Sequence, residues 1–215
     1  MQNYLNNYNK LEKYPEIYQY AKEFNVPIIM KESLELIEML ILKEASNKKE
    51  YRILEVGCAI GYSSLHFISV CPNVFVDTIE RNEEMINVAT SNFARYGHGR
   101  INLIKQDALE VELPVEASYD LIFIDAAKAQ NIKFFNKFSP FLKDDGMIIT
   151  DNLYFHGCME NPEEQSKNVR NMVRKIDEYN KFLSNHNDYI TTFVPIGDGI
   201  SISVRRGINE VNSWY

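Results

Sequence analysis

The first quarter of the chain carries apolar residues at helical spacing. Over residues 31–44 the apolar positions follow one another at intervals of three, three and one, which places them on one face of an amphipathic helix. These positions are Leu34, Ile37, Leu40 and Ile41. A looser stripe runs from Tyr4 to Phe24 and is interrupted at Pro15, so we predict two short helices there.

From Tyr51 onward, short apolar runs alternate with helical stretches. This alternation is typical of β–α–β units, in which helices cover a mostly parallel sheet and make an α/β fold. The predicted strands are residues 52–56, 74–79, 101–105, 119–124, 147–150, 189–194 and 200–204. The predicted helices between them are residues 63–70, 83–96, 130–142 and 163–183. A turn-rich segment separates the last two strands, so we predict a seven-stranded sheet that ends in an antiparallel hairpin.

Neither a repeat nor a low-complexity linker divides the sequence, which favours one domain over residues 1–215. Residues 1–45 are then a helical extension of an α/β core at residues 51–206. The chain has 45% hydrophobic and 25% charged residues, as ordinary folded domains do. Three cysteines, Cys58, Cys71 and Cys158, have neither the even number of a disulfide framework nor the spacing of a zinc site.

Charge and hydropathy exclude several partner classes. The net charge of −7 argues against indiscriminate adhesion to nucleic acid or anionic lipid, and we expect neither DNA nor a membrane as a partner. Residues 1–16 are polar and lack an apolar core, so we expect no secretory signal there, and the sequence contains no apolar run of about 20 residues that could span a bilayer. These features predict a cytoplasmic protein.

The segment after the first predicted strand combines several features of a ligand-binding turn. Gly57 and Gly61 let a ligand approach the backbone, and the serines that follow can cap the next helix. The spacing differs from that of dinucleotide-binding and phosphate-binding loops, and Glu55 suits a cationic ligand better than a pyrophosphate. Glu80 ends the second strand, where a carboxylate can accept hydrogen bonds from a ribose. A tight turn with surface carboxylates is the alternative interpretation.

These motifs resemble those of class I S-adenosylmethionine-dependent methyltransferases: E-V-G-x-x-x-G from Glu55, an acidic residue at Glu80, and QDA from Gln106. More narrowly, GYSS, IDAAK and TDN resemble the metal-dependent O-methyltransferases related to catechol and caffeoyl-CoA O-methyltransferases. The resemblance covers about residues 27–206 and implies a Rossmann-like methyltransferase fold that binds S-adenosylmethionine. The residues that it implies for the cofactor site are Met30, Glu55, Gly57, Ser63, Glu80, Asp107, Ala108 and Asp125. It implies Glu80 at the ribose and Asp107 with Ala108 near the adenine.

Three oxygen-bearing side chains follow two buried strands. Asp125 ends the strand at residues 119–124, and Asp151 and Asn152 end the strand at residues 147–150. Each alone would more often cap a helix, but the three together favour Mg²⁺ or a similar hard divalent cation. The resemblance further implies Lys128 as the base that receives the substrate proton; a lone lysine would otherwise be a solvated surface residue.

This chemistry predicts in-line transfer of a sulfonium methyl group to an acceptor oxygen. Catechols and 5-hydroxyuridine both offer two vicinal oxygens to a cation, so the site alone does not choose between them. The segments at residues 27–30, IDAAK and PIGDG resemble the bacterial tRNA 5-hydroxyuridine methyltransferases, which make 5-methoxyuridine at the wobble position. The resemblance thus implies the anticodon region of tRNA as acceptor, and small catechol-like phenols are the alternative.

Several further positions could contact RNA or a second subunit. Lys167, Arg170 and Arg174 share one face of the predicted helix at residues 163–183 and could contact phosphate, or could form a solvated face balanced by nearby acidic residues. The terminal Trp214-Tyr215 pair could stack on bases or pack on the body. Residues 155–157 are predicted to shape the acceptor mouth. From the resemblance and the apolar N-terminal helices we expect a homodimer.

Overall fold

The computed structural model describes residues 12–154 and 166–207, which form a seven-stranded sheet covered by helices. The strands are β1 Tyr51–Val56, β2 Val74–Glu80, β3 Ile101–Lys105, β4 Tyr119–Ile124, β5 Leu142–Thr150, β6 Tyr189–Val194 and β7 Ile200–Arg205. The α-helices are α1 Pro15–Glu23, α2 Lys31–Ala45, α3 Tyr62–Val70, α4 Glu83–Tyr96, α5 Asn131–Phe138 and α6 Lys167–Ser184. None of these helices is long and apolar enough to cross a membrane.

The strand order is β3-β2-β1-β4-β5-β7-β6. Strands β1 to β5 pair in parallel, whereas β7 is antiparallel to both β5 and β6. The predicted Rossmann-like fold with an antiparallel C-terminal hairpin is therefore confirmed. The direction of strand addition reverses between β1 and β4, and a crevice at the carboxyl ends of the strands is the usual ligand site of such sheets.

Alternate residues of the central strands supply two hydrophobic layers. Ile53 belongs to the layer that α1, α2 and α3 cover, and Leu54 belongs to the layer that α5 and α6 cover. All six residues of β4 are buried, because a parallel strand in the middle of the sheet has a helix layer on each side. The strand ends that carry the candidate chemistry therefore project from a rigid platform.

The helix predicted at residues 130–142 is shorter in the structure. The α-helix covers Asn131–Phe138 and is flanked by 3₁₀ turns at Lys128–Gln130 and Ser139–Phe141. Pro140 has no N–H to donate and its ring fixes φ, so regular α-helical bonding ends before it. The predicted element is thus one short helix between two tight turns.

Other differences concern where elements begin. β5 starts at Leu142 rather than Met147, and its pairing with β4 is irregular in this first part. The helix predicted at residues 163–183 is α6, which begins at Lys167 with Ser166 as its N-cap, and residues 163–165 lie outside the described residues. Most of the first of the two predicted N-terminal helices also lies outside them. The second N-terminal helix is α1, which begins at Pro15, where the missing N–H costs no helical bond.

Candidate active site

The carboxyl ends of neighbouring strands are joined by backbone hydrogen bonds one residue beyond each strand. These bonds run from Gly57 N to Ile79 O at 2.9 Å, from Asp125 N to Val56 O at 3.0 Å and from Asp151 N to Ile124 O at 3.2 Å. The sheet ladder therefore fixes Gly57, Asp125 and Asp151 side by side. The candidate functional side chains at these positions are therefore held in place by backbone hydrogen bonds of the sheet.

A cavity of about 650 Å³ opens at this edge of the sheet. The loops after β1, β2, β3, β4 and β5 and the segment before α2 form its walls. The sequence-predicted site residues that line it are Met30, Gly57, Ser63, Glu80, Asp107, Ala108, Asp125, Lys128, Asp151 and Asn152. The structure thus brings the predicted cofactor and metal residues, with the exception of Glu55, to one cavity.

The loop after β1 requires backbone conformations that glycine adopts most easily. Gly57 has φ of +90° and Gly61 has φ of +82°. A Cβ on Gly57 would lie 2.6 Å from the backbone oxygen of Asp125, and one on Gly61 would overlap the ring of Phe93. Both glycines are therefore needed for the loop to pack, independently of any ligand.

We expect Gly57→Ala to lower the free energy of unfolding by roughly 2–4 kcal/mol, since the new Cβ meets backbone that cannot move and φ is strained. Urea denaturation followed by circular dichroism would measure this change. Gly99→Ala is the matched control: Gly99 also has positive φ, +71°, but a Cβ there has no atom within 4 Å. A loss at Gly57 no larger than the loss at Gly99 would contradict the packing explanation.

Glu55 lies beneath the cavity wall. Its side chain is fully buried, and its carboxylate accepts hydrogen bonds from Ser63 Oγ at 2.5 Å, Thr78 Oγ1 at 2.7 Å and Ser64 Oγ. Burial raises the pKa of Glu55 to about 7, although the three hydroxyl donors oppose the shift. Ser63 lines the cavity and Glu55 holds Ser63, so Glu55 lies behind the cavity wall, and its contact with a cofactor stays a prediction.

Glu80 ties the glycine loop to the end of β2. Its Oε2 accepts from Ala59 N at 3.0 Å, and its Oε1 accepts from Arg81 N and Asn82 N, both at 2.9 Å. Ala59 itself has φ of +46°, an uncommon value for a residue with a Cβ. Carboxylate oxygens have further lone pairs, so Glu80 can accept additional bonds from the cavity. The ribose role implied by the family resemblance stays a prediction.

Asp107 has two partners at the same end of the cavity. Its Oδ1 accepts from Leu109 N at 2.8 Å and its Oδ2 accepts from Arg81 Nη1 at 2.7 Å. The backbone hydrogen bond and the guanidinium lower the pKa of Asp107. Arg81 lines the cavity but was not among the sequence candidates, because an arginine after a strand offers no signal that separates it from a solvated surface residue.

The candidate metal ligands and the candidate base form one hydrogen-bonded cluster. Lys128 Nζ donates to Asp125 Oδ1 at 2.6 Å. The side-chain amide of Asn152 donates to the same oxygen at 3.3 Å and to Asp151 Oδ2 at 2.9 Å. Asn152 has φ of +65°, a left-handed conformation that asparagine tolerates better than most residues. The four side chains thus converge as their order along the chain predicts.

Asp151 has the least favourable electrostatic environment for a charged carboxylate in this cluster. It is 1% exposed, and among the described residues its Oδ1 has no hydrogen-bond partner. Burial and the charge of Asp125 raise the pKa of Asp151 to about 7. A buried carboxylate oxygen without a donor is costly unless a cation or another donor reaches it.

The donor set suits a hard cation but is small. In the part of the chain that the structure describes, no group of three His, Cys, Asp or Glu side chains is placed to hold a metal ion. The candidate ligands are instead two carboxylates, Asp125 and Asp151, with the amide of Asn152. With one oxygen from each side chain, such a set would leave about half of the six coordination positions of Mg²⁺ to water or to a substrate.

The segment between β6 and β7, PIGDG at residues 195–199, lies beside this cluster. Asp198 O accepts from Tyr154 N at 2.8 Å, and Ser33 Oγ donates to a backbone oxygen of the segment at 3.3 Å. Asp198 is 4% exposed, and its charge contributes to the raised pKa of Asp151. The sequence predicts a turn and a family motif at this segment, but it does not single out Asp198. The position of an acidic residue between two glycines is the signal in the sequence that points to Asp198.

Some predicted positions lie outside the described residues. These are the acceptor-mouth residues Phe155, His156 and Gly157 and the terminal pair Trp214-Tyr215. Their proposed contacts with an acceptor or with RNA bases stay predictions.

Comparisons with known proteins match most of the chain. A family model described as O-methyltransferase matches residues 9–206. A Staphylococcus aureus crystal structure, of a candidate caffeoyl-CoA O-methyltransferase, is 40% identical, covers 92% of this chain and 94% of its own, and has a TM-score of 0.85. The caffeoyl-CoA O-methyltransferase of Stellaria longipes is 25% identical over 166 residues, 73% of this chain and 69% of the relative. An O-methyltransferase from Bacillus cereus, solved in complex with SAH, covers 95% of this chain and 96% of its own at 21% identity and a TM-score of 0.78, which shows the fold alone.

Proposed function

Because this chain belongs to the O-methyltransferase family, we propose that it transfers methyl from S-adenosylmethionine to the 5-hydroxyl of 5-hydroxyuridine at the tRNA wobble position. The product is 5-methoxyuridine. The observation that carries the choice of acceptor concerns two of the motifs that resemble the bacterial tRNA enzymes: the PIGDG segment lies beside the candidate metal cluster and packs on the segment at residues 27–30, which lines the cavity.

The contact between these two segments joins elements that are far apart in sequence. The PIGDG segment at residues 195–199 packs on the start of α2: a Cβ on Gly197 would overlap Ser33 Oγ and would lie 3.2 Å from Met30 Cβ. Met30 ends the second motif, at residues 27–30, and these four residues line the cavity. Two motifs that resemble the bacterial tRNA enzymes are thus in contact with each other next to the candidate metal cluster, which supports an acceptor of that class.

S-adenosylmethionine is supported as the cofactor by the family and by the Bacillus cereus relative solved with SAH, S-adenosylhomocysteine. The cofactor supplies an electrophilic methyl group on a sulfonium centre. The carboxylates of Glu80, Asp107 and Asp125 line the cavity. They can accept hydrogen bonds from the hydroxyl and amino groups of the cofactor and can attract its cationic groups. Ser63, held by Glu55, adds a fixed polar contact.

Magnesium or a similar divalent cation fits the cluster of Asp125, Asp151 and Asn152. The buried Asp151 Oδ1 needs a positively charged or hydrogen-donating partner, and hard oxygen donors are the ligands that Mg²⁺ prefers. Asn152 would present its amide oxygen rather than the nitrogen that now faces the two carboxylates. A bound divalent cation would stabilise the anionic form of an acceptor hydroxyl.

Lys128 is the residue that we assign to proton transfer. Its Nζ lies 2.6 Å from Asp125 Oδ1, inside the cavity and mostly buried. In the neutral form Lys128 would accept the proton of the acceptor hydroxyl, and Asp125 would hold the resulting ammonium in place. The sheet ladder that fixes Asp125 therefore also orients the base.

The basic face of α6 is our candidate contact for the tRNA backbone. Lys167, Arg170 and Arg174 are exposed, and α6 packs against the 3₁₀ turn that begins at Lys128. Arg174 lies 3.5 Å from Glu178, so part of this charge is balanced within the helix. We propose that this cationic face, on a helix that packs against the turn of the candidate base, contacts phosphates next to the target base.

A homodimer stays part of the proposal. Phe24, Met39 and Leu42 of the N-terminal region are more than half exposed and offer apolar surface to a second subunit.

We expect purified protein with S-adenosylmethionine and Mg²⁺ to methylate tRNA that contains 5-hydroxyuridine, because the 5-hydroxyl and the 4-carbonyl can share one cation. Transfer of radiolabelled methyl, followed by mass spectrometry of the nucleosides, would measure the product. The same tRNA without the hydroxyl group is the control substrate and should accept no methyl. No transfer to hydroxylated tRNA alongside rapid methylation of catechol would instead establish the small-phenol alternative.

A further inference from the structure

The segment before α1 contacts the helix that begins at the glycine loop. Glu12 Oε2 accepts a hydrogen bond from Tyr62 OH at 2.7 Å, and Glu12 Oε1 accepts from Tyr14 N at 3.0 Å. Tyr62 is the first residue of α3, is 5% exposed and lines the cavity. A carboxylate from the N-terminal region therefore holds a side chain of the cavity wall.

A second carboxylate completes this contact through His66. Nε2 of His66 lies 3.3 Å from Glu12 Oε1, and Nδ1 lies 2.9 Å from Glu38 Oε1. Lys13 Nζ donates to the same Glu38 oxygen at 2.7 Å and to Ser69 Oγ at 2.7 Å. Residues 12 and 13 are thus bound to both α2 and α3, through the buried side chains of Glu38 and His66 and the exposed hydroxyl of Ser69.

The electrostatics of this contact favour a charged Glu12 and a neutral Tyr62. Burial opposes ionisation of Glu12, but the hydrogen bonds from Tyr14 N and Tyr62 and the nearby His66 together lower the pKa of Glu12. Burial and the Glu12 carboxylate raise the pKa of Tyr62 well above its ordinary value. Tyr62 therefore donates to Glu12, and its ring is the part of the side chain that remains for the cavity.

We propose that Glu12 is a positioning residue for the cofactor site, which acts by fixing the side chain of Tyr62. The proposal rests on the proposed function in one respect, that the cavity binds the adenosyl cofactor. A wall side chain that is already ordered loses less conformational entropy when a ligand binds. Because such coupling is reciprocal, cofactor binding also stabilises the docking of the N-terminal segment.

A double-mutant cycle tests this proposal. Isothermal titration calorimetry with S-adenosylhomocysteine would measure affinity for the wild type, Glu12→Gln, Tyr62→Phe and the double variant. We expect Tyr62→Phe, which removes the hydrogen bond, and Glu12→Gln, which removes the charge that strengthens it, each to bind about five- to tenfold more weakly. The double variant should bind no more weakly than Tyr62→Phe. In turnover assays the KM for S-adenosylmethionine should rise while kcat stays unchanged.

Glu16→Gln is the matched control. Glu16 Oε2 accepts from Arg95 Nη1 at 2.6 Å and from Tyr96 OH at 3.0 Å, so it also docks the N-terminal region through a tyrosine, but neither partner lines the cavity. The affinity of this variant for S-adenosylhomocysteine should equal that of the wild type.

Each other outcome has a definite meaning. Unchanged affinity of Glu12→Gln, additive losses in the double variant, or an equal loss in Glu16→Gln would each overturn the positioning role. Tyr62→Phe keeps the ring and therefore tests the contact even if Glu12→Gln folds poorly. A wild-type protein that does not bind S-adenosylhomocysteine would instead reject the proposed cofactor, which separates the two failures.

Discussion

Asp151→Ala is expected to reduce methyl transfer by at least about a thousandfold, because it removes one of two carboxylates from the proposed cation site and several kcal/mol of charge stabilisation with it. Asp151 Oδ1 has no donor among the described residues, so its proposed partner is the cation. Turnover would be measured over a range of Mg²⁺ and Mn²⁺ concentrations. Affinity for S-adenosylhomocysteine, measured by calorimetry, should change little.

Asp145→Ala controls for the loss of an aspartate from β5. Asp145 lies in the first half of β5, whereas Asp151 follows the last residue of the strand. The Asp145 side chain is mostly exposed, and its Oδ2 lies 2.8 Å from Lys48 Nζ. This variant should keep wild-type activity. Equal activity of the wild type with and without a chelator, or full activity of Asp151→Ala, would reject the cation site.

The buried carboxylate of Asp151 should also change how the stability of the metal-free protein depends on pH, which can be measured without an activity assay. Burial and the charge of Asp125 raise the pKa of Asp151 to about 7 from 3.8. In metal-free protein the native state therefore binds the Asp151 proton more tightly than the unfolded state does. Protonated Asp151 thus adds to the free energy of unfolding at low pH, and this contribution is lost as the pH rises from about 4 through about 7. Asp151→Asn should remove this loss, so at pH 8 the metal-free variant is expected to unfold at a higher urea concentration than the metal-free wild type.

Lys128→Met is expected to lower kcat by about a hundredfold to ten-thousandfold, the usual contribution of a positioned general base. Methionine keeps the length and apolar stem of the side chain but cannot accept a proton. The pH–rate profile distinguishes the roles: part of the lost rate should return at high pH, where the acceptor hydroxyl ionises without help. Stopped or continuous methyl-transfer assays between pH 6 and about 10 would cover the range in which such hydroxyls ionise.

Lys133→Met is the control for this substitution. Lys133 lies on the exposed side of α5, close in sequence but outside the cavity wall. It should leave kcat unchanged. A loss in Lys128→Met that does not vary with pH would indicate that the lysine only holds Asp125.

Much of the fold follows from local pattern. The run YDLIFI predicts a doubly covered strand, and β4 is buried at all six positions. The convergence of Asp125, Asp151 and Asn152 follows from the same logic, because the ends of neighbouring parallel strands meet at one edge of the sheet. Strand ends are thus the places where sequence order translates most directly into proximity.

Contacts between distant elements could not be predicted in this way. Glu55 is next to the last residue of β1, and its side chain lies on the α3 side of the sheet, where Ser63 and Ser64 bind it. Motif spacing alone does not say which side of a strand faces a ligand. The contact between Glu12 and His66 joins positions 54 residues apart, and neither residue belongs to a recognisable pattern.

Glycines restrict exchange on two sides of the candidate metal cluster. Gly57 packs against the backbone of Asp125, so the loop after β1 is interlocked with the central strands. In the PIGDG segment, Gly197 and Gly199 have φ of +57° and +79°, and a Cβ on them would overlap Ser33 and Tyr154 respectively. Exchange of these three glycines is therefore expected to impair folding before it alters the choice of acceptor.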